Sequence, residues 1–519
     1  MNDNTRLNLD QGLVQECKSA AERIVEKVLL EINNKTTSSV ERTIARLLGI
    51  DGVNEDDIPF PNLIVDHLIA NNGIRSGLSY WLGNAMIQTG KSPQQIAGMV
   101  NDGSVNLVEL PQAEKTAIYT LMIEECGKAL DRVSAVRKDK ELKRARLGEN
   151  PPPHAYVLTA TGNVYEDVIH AIADARYGAD IVAVIRSTAQ SLLDYVPFGP
   201  TTEGYGGTYA TQENFRIMRK ALDDWAEENK RYVRLSSFCS GLCMPEIAAM
   251  GALEGLDNMA NDALYGILYR DINMIRTFID QKMSRMINGF SGTVINTGED
   301  NYLRTADAVS AAHSVVTSQL INYHFARRAG LKGEHIGIGN AFEITPNLKN
   351  GLLYEWAQAL LTRELFPDCK TKYMPPTKHM NGNIFRTHAV DTMFNFITIA
   401  TRQDIQTIGV PTEGFYTPII HDRTISLENV KYVFNNAADI YDEISFKEGG
   451  IIQTRAKEVL SETLQMLHKI EEIGLFTAIE KKFFGDVGRS ISDGKGREGV
   501  FEKDLTYFNP FTELILGEQ

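Results

Sequence analysis

The chain has 519 residues, of which 43% are hydrophobic and 23% are charged, a composition typical of a globular protein with a large buried core. Its net charge of −14 argues against a role in binding nucleic acid or an anionic membrane. No apolar run approaches the ~20 residues of a membrane span, and the N-terminus lacks the basic and apolar segments of a signal peptide. The five cysteines are mostly dispersed, which predicts a protein of the reducing cytoplasm.

Residues 1–150 form the first predicted region, which is mainly helical. Apolar residues such as Cys17, Ile24 and Val28 recur there at helical spacing. A mixed-charge run at residues 137–146 and three consecutive prolines then end this pattern. We expect the N-terminal helical region to make dimer or partner contacts.

Residues 151–420 alternate short apolar segments with helical patterns, which is typical of an α/β fold. About eight such repeats indicate a (β/α)8 TIM barrel, with a doubly wound sheet as the alternative. The barrel is favoured because several predicted strands end in polar clusters, which a barrel brings together on one rim. The predicted strands cover residues 155–159, 181–186, 232–237, 293–296, 335–340, 372–374, 396–400 and 406–410.

Residues 421–519 return to helical patterns and predict a mainly helical accessory region. In residues 451–473, Leu460, Leu464 and Leu467 supply the apolar stripe of one long helix. We expect this stripe to pack against the barrel or against a partner.

The segment from residue 180 to residue 210 contains the strongest local signal for a ligand. A short apolar strand ends on Arg186, and Ser191 and Tyr195 follow one helical turn apart on a predicted helix. A guanidinium and two hydroxyls suit a phosphate, and glycines in residues 198–209 allow backbone amides to approach an anion. The residue types leave open the alternative of a surface salt bridge beside a flexible loop.

Three further positions in the predicted barrel region carry candidate chemistry. Tyr265 offers a ring that stacks on a flat heteroaromatic group, unless it is an ordinary packed aromatic. Ser240 either hydrogen-bonds a ring nitrogen or caps the following helix. Lys372 lies on a predicted strand, where a buried lysine needs a carboxylate such as Asp300 or Glu299.

Motifs that the chain lacks narrow its chemistry. The sequence contains no P-loop, complete dinucleotide fingerprint, HExxH or GxSxG motif. Cys239 and Cys243 have no second pair, so structural thiols are favoured over a zinc site. We therefore expect no metal site made by this chain alone.

Several long stretches resemble the alpha-subunit family of lysine 5,6-aminomutase, and the similarity runs along the full chain. The resemblance implies a TIM-barrel subunit that uses pyridoxal 5′-phosphate and adenosylcobalamin. The stretches that carry it are residues 156–162 (YVLTATG), 181–209, 235–245 (LSSFCSGLCMP), 296–300 (NTGED) and 411–416 (PTEGFY).

The resemblance also implies roles for individual residues. In the family pattern, one set of residues holds the phosphate of pyridoxal phosphate. Other residues lie around the pyridine ring and the phenolic oxygen of this cofactor, and one lies at the adenosyl group of the second cofactor. The implied phosphate residues are Arg186, Ser191 and Tyr195. The implied ring and pocket residues are Ser240 at the pyridine nitrogen, Tyr265 stacked on the ring, Arg270 along the pocket, and Asp300 and Lys372 near the phenolic oxygen; Glu413 is implied at the adenosyl ribose.

The family divides its cofactor chemistry between two subunits. The chain has no DxHxxG motif for cobalt, so the resemblance implies a separate beta subunit that carries both this motif and the Schiff-base lysine. It further implies an α2β2 assembly and an isomerase of the aminomutase class. The implied reaction is a radical 1,2-amino shift of D-lysine or L-beta-lysine from C6 to C5, as in anaerobic lysine fermentation.

Other interpretations of the same residues stay open. Lys372 or Lys378 is the alternative source of an internal Schiff base, as in ordinary pyridoxal enzymes. A barrel subunit that acts on another diamino acid, such as ornithine, is a second alternative. A third is a non-catalytic scaffold subunit that binds pyridoxal phosphate.

Overall fold

The fold is a parallel β-barrel to which helices from both ends of the chain are added. A computed structural model of the chain describes residues 6–185, 189–299, 309–341, 348–375, 380–413 and 419–517. In these residues the strands of the barrel follow one another in chain order, and the last strand pairs with the first.

The N-terminal region is helical apart from one short strand, as its spacing predicts. The first helix begins after Asp10, whose side chain accepts hydrogen bonds from the amides of Gly12 and Leu13. Its apolar positions, Cys17, Ile24 and Val28 among them, are buried. The elements are α1 (Gln11–Ile32), β1 (Lys35–Thr37), α2 (Ser38–Leu47), α3 (Phe60–Ala70), α4 (Gly77–Thr89), α5 (Pro93–Asn101) and α6 (Lys115–Leu147).

The central part of the chain is a TIM barrel. All neighbouring strands are parallel, and helices lie between them in the sequence, which confirms the predicted fold class. The strands are β2 (His154–Leu158), β3 (Ile181–Ile185), β4 (Arg234–Phe238), β5 (Asn258–Ala260), β6 (Val294–Asn296), β7 (Ile336–Ala341), β8 (Lys370–Met374) and β9 (Ile405–Thr407).

Helices surround this barrel. The last of them packs between its predecessor and the first helix of the ring, which completes the circle. The ring helices are α7 (Val164–Tyr177), α8 (Gln212–Asn229), α9 (Met244–Leu253), α10 (Ala263–Arg270), α11 (Met274–Phe290), α12 (Ala312–Arg328), α13 (Gly351–Leu365), α14 (Ile384–Ala400) and α15 (Ile420–Asn436).

Two of the strand predictions are corrected by the structure. Residues 396–400 form the end of helix α14, and β5 lies at Asn258–Ala260, where no strand was expected. A short apolar run does not distinguish a strand from a buried helical turn, which explains the first error. Strand β5 has three residues and begins on a polar side chain, so it gives little hydrophobic signal.

The C-terminal elements bind the two ends of the chain together. Strand β10 pairs with β1 in an antiparallel two-stranded sheet, with Thr36 opposite Phe501. The long helix α17 has the predicted buried stripe and packs against α1, α12 and α13. The elements after α15 are α16 (Ile440–Glu443), α17 (Ile451–Ile473), α18 (Leu475–Glu480), β10 (Val500–Glu502) and α19 (Pro510–Leu516).

Two global features bear on the environment of the protein. Among the described residues, no helix combines the length and apolar character that a membrane crossing requires. All five cysteines are free thiols with buried side chains. The location in a reducing cytoplasm stays a prediction.

Candidate active site

The carboxyl ends of the barrel strands form one rim, where backbone hydrogen bonds tie each connection to the next strand. The amide of Cys239, which follows β4, donates to the carbonyl of Ala260 in β5 at 2.7 Å. The amide of Thr297, which follows β6, donates to the carbonyl of Gly337 in β7 at 2.9 Å. Side chains on these connections are therefore held by the barrel itself.

Ser191 and the Ser240–Gly241 turn pack directly against each other on this rim. The amide of Leu242 donates to the carbonyl of Ser191 at 3.1 Å. A Cβ atom on Gly241 would lie 2.5 Å from the Cα atom of Ser191, so only glycine fits at this contact. The side chains of both serines are buried. The structure thus brings together one implied phosphate residue and the residue implied at the ring nitrogen.

Ser191 and Tyr195 do not share a helix face, which corrects the sequence prediction. Ser191 belongs to a 3-10 helix, Gln190–Leu192, and Leu193 after it is already extended. Tyr195 is 43% exposed. The two hydroxyls therefore come from a single 3-10 turn and from the bend that follows it.

Tyr265 and Arg270 form a pair on helix α10. An Arg270 Nη atom donates to the Tyr265 hydroxyl at 2.8 Å, and the guanidinium lies 5.1 Å from the centre of the Tyr265 ring. Asp262 begins the helix, since its carboxylate accepts the amide of Tyr265 at 3.1 Å. Among the described residues, the buried Arg270 Nε has no hydrogen-bond partner. The pair thus offers an aromatic ring and a guanidinium with unused donor capacity.

Lys372 lies inside the barrel, halfway along β8, and not at its rim. Its ammonium is 4.9 Å from the centre of the Tyr156 ring, an arrangement that stabilises a buried cation. The Tyr156 hydroxyl is 3.1 Å from the hydroxyl of Ser236 on β4. Lysine, tyrosine and serine therefore form a polar layer within the barrel, below the rim.

Glu413 lies in the turn after β9 and is buried beside another acid. Asp391 of α14 faces it closely enough that burial, reinforced by the charge of Glu413, raises the pKa of Asp391 well above its ordinary value. Asp391 also contacts the backbone, because a Cβ atom on Gly409 would lie 2.0 Å from its Oδ1. Glu413 thus follows β9 on one side of β2, and Ser191 follows β3 on the other side of β2.

Three residues that the sequence singles out lie outside the described residues. They are Arg186, Asp300 and the alternative lysine Lys378. The roles that the resemblance implies for Arg186 and Asp300 stay predictions.

One glycine of the glycine-rich loop, Gly204, makes a contact within the chain. The amide of Gly204 donates to the carbonyl of Gly162 at 2.7 Å, and the amide of Gly162 donates to the hydroxyl of Thr208 at 2.9 Å. A Cβ atom on Gly162 would lie 2.6 Å from the carbonyl oxygen of Gly204. These two glycines therefore join the loop to the connection after β2 through hydrogen bonds within the chain. The approach of other loop amides to an anion stays a prediction.

Sequence reasoning missed Asp262 and Asp391 as parts of this site. Asp262 had a usable signal, because an aspartate directly before an apolar helical stretch is a common N-cap. Asp391 had none, since it stands in the middle of a long helix where acids usually face solvent.

Comparison with known proteins identifies the family to which the chain is similar. Residues 7–514 match the family model described as the TIM-barrel domain of the D-lysine 5,6-aminomutase alpha subunit. The lysine 5,6-aminomutase alpha subunit of Fusobacterium nucleatum is 54% identical over 513 residues, with 99% of each chain covered. That of Acetoanaerobium sticklandii is 52% identical over 514 residues, again with 99% of each chain covered.

The chain belongs to the lysine 5,6-aminomutase alpha-subunit family. A more distant relative is the D-ornithine 4,5-aminomutase subunit beta of Acetoanaerobium sticklandii. It is 29% identical over 378 residues, which cover 70% of this chain and 51% of that one. The alpha-subunit relatives are thus similar along their whole length, whereas this relative has a long additional part. Their names place all three among the aminomutases, which are isomerases.

Proposed function

We propose that this chain is the alpha subunit of a lysine 5,6-aminomutase that depends on pyridoxal phosphate and adenosylcobalamin. The enzyme would move the terminal amino group of D-lysine or L-beta-lysine from C6 to C5, as an intramolecular aminotransferase. The observation that carries the proposal is the identity of more than half of the residues to two alpha subunits over their full lengths.

The residues on one side of the rim fit a pyridoxal phosphate. The fit rests on the buried Arg270 Nε, which lacks a partner among the described residues, and on the glycine contact that places Ser191 beside the Ser240 turn. Ser191 and Tyr195, together with Arg186, would hold the phosphate. Ser240 would donate to or accept from the ring nitrogen, and the Tyr265 ring would cover one face of the pyridine.

A second set of residues fits an adenosyl group. Asp391 Oδ1 is buried without a hydrogen-bond partner among the described residues, beside the buried Glu413. Carboxyl oxygens of this kind accept hydrogen bonds from ribose hydroxyls. Glu413 would therefore hold the ribose, two strands along the rim from the connection that carries Ser191.

The two cofactors would generate the radical and stabilise the amino group while it migrates from C6 to C5. The residues of this chain would then bind the cofactors, orient the substrate and shield the reacting atoms from water. Arg270 keeps a positive charge beside Tyr265, and Lys372 keeps a second one over Tyr156 within the barrel. Asp300 and Lys372 would set the protonation of the cofactor's phenolic oxygen. The closed barrel beneath the rim excludes water from the reacting atoms.

A separate beta subunit would complete the catalyst. The proposal is supported by the names of the two full-length relatives, which are alpha subunits, and by the absence of a DxHxxG cobalt motif from this sequence. The partner would carry that motif, the corrin and the lysine that anchors pyridoxal, in an α2β2 assembly in the cytoplasm.

The test is turnover of D-lysine under anaerobic conditions, with both cofactors, by the chain alone and with a candidate beta subunit. We expect activity only in the mixture. Activity of the chain alone would contradict the division of labour and favour an internal lysine, either Lys372 or Lys378. Borohydride reduction followed by peptide mass analysis distinguishes these cases, since it labels whichever lysine holds the pyridoxal.

The same assay separates the alternatives. A subunit of an ornithine enzyme would turn over D-ornithine and not D-lysine in the mixture. A non-catalytic scaffold would bind pyridoxal phosphate yet support neither reaction, and its variants at Arg186 and Tyr265 would assemble and function unchanged. We expect instead that both variants bind pyridoxal phosphate markedly less tightly than the wild type.

A further inference from the structure

Asp194 stands between the two implied phosphate residues, Ser191 and Tyr195, and is bound by two arginines from elsewhere in the chain. Arg42 Nη2 lies 2.5 Å from its Oδ1, and Arg276 Nη2 donates to the same atom at 2.8 Å. Arg276 Nη1 is 3.4 Å from the other oxygen, so this guanidinium grips the carboxylate with both of its terminal nitrogens.

The two arginines are themselves fixed. The Arg276 side chain is fully buried, and its Nε donates to Asp280 at 2.9 Å. Arg42 Nε donates to Glu246 at 2.7 Å, and Glu246 also accepts from Arg46 at 2.8 Å. We call these side chains the Asp194 ion network. Its members, in order of contact, are Arg46, Glu246, Arg42, Asp194, Arg276 and Asp280.

The network balances three positive charges against three negative charges in a region that is mostly dry. Burial raises the pKa of Asp194, but Arg42 and Arg276 outweigh burial and hold that pKa below its ordinary value. Asp194 is therefore a carboxylate at neutral pH. Because its arginines are buried and charged, its removal would leave both of them short of a counter-charge.

The same network reaches three separate parts of the chain. Arg42 belongs to α2 of the N-terminal region, and Arg276 belongs to α11 of the barrel ring. Arg276 Nη1 also donates to the carbonyl of Gly496 in the C-terminal region at 3.1 Å. Asp194 is thus the point at which both terminal regions hold a connection of the barrel rim.

Further contacts hold the backbone around Asp194. Its carbonyl accepts the side-chain amide of Asn62, from α3, at 3.1 Å. The thiol of Cys243 donates to the carbonyl of Leu193 at 3.3 Å. By contrast, the Asp194 side chain is 36% exposed and the Tyr195 residue 43% exposed, so burial of apolar surface contributes little to fixing this turn.

We propose that Asp194 is a positioning residue, which, through Arg276 and Arg42, holds Ser191 and Tyr195 in place for the phosphate monoester of the cofactor. This inference rests on the proposed function, since it concerns the same cofactor. A carboxylate this close to an anion site would repel a phosphate if its charge were free. Here two guanidiniums neutralise it, so it acts on the phosphate only through the backbone that it anchors.

The test compares the affinities of the full-length chain for pyridoxal phosphate and for pyridoxal, which lacks the phosphate. Both dissociation constants are measured by equilibrium dialysis for the wild type and for Asp194→Asn. We expect the variant to lose about tenfold in affinity for pyridoxal phosphate and less than about twofold for pyridoxal, since misplacement of one or two phosphate hydrogen bonds is of this size. Arg276→Lys should also lose affinity for pyridoxal phosphate, because a lysine cannot make the bidentate contact with the Asp194 carboxylate.

Asp442→Asn is the matched control. Asp442 accepts two hydrogen bonds from Arg402 at 2.7 Å, but this pair is exposed and lies away from the rim. We expect its affinities for both ligands to match those of the wild type. Circular dichroism melting of each variant establishes that it is folded.

The possible outcomes separate this inference from the proposed function. Equal losses of both ligands in Asp194→Asn and Arg276→Lys, or no loss, would overturn a phosphate-positioning role and leave a purely structural network. A wild type that binds pyridoxal phosphate no more tightly than pyridoxal would overturn the proposed function itself, and this inference with it.

Discussion

Gly241 contacts Ser191 across two connections of the barrel rim so closely that no side chain fits between them. A Cβ atom on Gly241 would lie 2.5 Å from both the Cα atom and the carbonyl oxygen of Ser191. Gly241 also has a φ of +88°, which L side chains rarely adopt. The contact fixes the distance between the connection after β3 and the connection after β4.

The first prediction concerns this contact. Gly241→Ala should displace Ser191, weaken pyridoxal phosphate binding by at least about tenfold and cost about 2–4 kcal/mol, from overpacking together with the left-handed backbone. Gly49→Ala is the control, because Gly49 has the same φ of +88° and nothing within 4 Å of a new Cβ atom. It should cost only about 1 kcal/mol and leave binding unchanged. Stability is measured by urea unfolding and pyridoxal phosphate affinity by dialysis. Equal losses in the two variants would refute a steric role for the contact between Gly241 and Ser191.

The second prediction separates the ring of Tyr265 from its hydroxyl. Tyr265→Phe keeps the ring and loses the acceptor for Arg270, so its affinity for pyridoxal phosphate should stay within about threefold of the wild type. Tyr265→Ala also loses the ring and should bind about tenfold more weakly. Tyr432→Ala, at an exposed residue, should bind normally. If Tyr265→Ala binds as tightly as the wild type, the ring does not cover the cofactor.

The third prediction concerns Glu355 of α13, which is fully buried next to the hydroxyl of Tyr373. Burial raises the pKa of Glu355 well above its ordinary value, so the folded protein holds a proton that the unfolded chain releases. Stability must therefore fall as pH rises above about 4.5 towards the folded pKa. Glu355→Gln lacks this proton, so its stability relative to the wild type should increase between pH 5 and pH 8.

Urea unfolding at the two pH values measures this difference, which should reach about 1 kcal/mol or more. Glu355→Ala should instead cost about 2–4 kcal/mol at either pH, because it leaves a cavity and an unsatisfied Tyr373 hydroxyl. A difference between wild type and Glu355→Gln that does not change with pH would show that Glu355 is ionised in the folded state.

The fourth prediction concerns His324 of α12. Burial lowers its pKa to about 4 from 6.5, so below pH 6.5 the unfolded chain binds a proton that the folded protein does not. Stability is therefore lost as pH falls from 6.5 to 4, by about 2 kcal/mol once partial exposure is taken into account. His324→Gln should show a shallower loss than the wild type in urea unfolding across this range. His421→Gln, at an exposed position, should follow the wild-type curve.

The sequence predicts the barrel because short apolar segments alternate along it with stretches of helical hydrophobic spacing. It fails at Asn258–Ala260 and at residues 396–400, where short segments carry too little periodic information to separate strand from helix. Both errors lie between well-predicted neighbours, so two compensating mistakes still give the correct number of strands.

The candidate site is less predictable than the fold. Ser191 and Tyr195 have helical spacing, yet Asp194 between them lies in a bend that is held by Arg276, which is 82 positions away. No local pattern contains such a tertiary ion pair, and it overrides the local preference. The position of Ser240 after a strand was accessible to sequence reasoning, because a barrel places every strand end on one rim. That of Tyr265 was not, since strand β5 before its helix was not predicted.

The pairing of β1 with β10 sets the order in which the protein can mature during synthesis. Asn34 and Glu502, which hydrogen-bond at 2.8 Å beside this sheet, are 468 positions apart. The ribosome therefore releases nearly the whole chain before the first strand meets its partner. Until then the emerging N-terminal helices lack the α17 surface that covers α1, so the apolar face of α1 stays exposed to other chains.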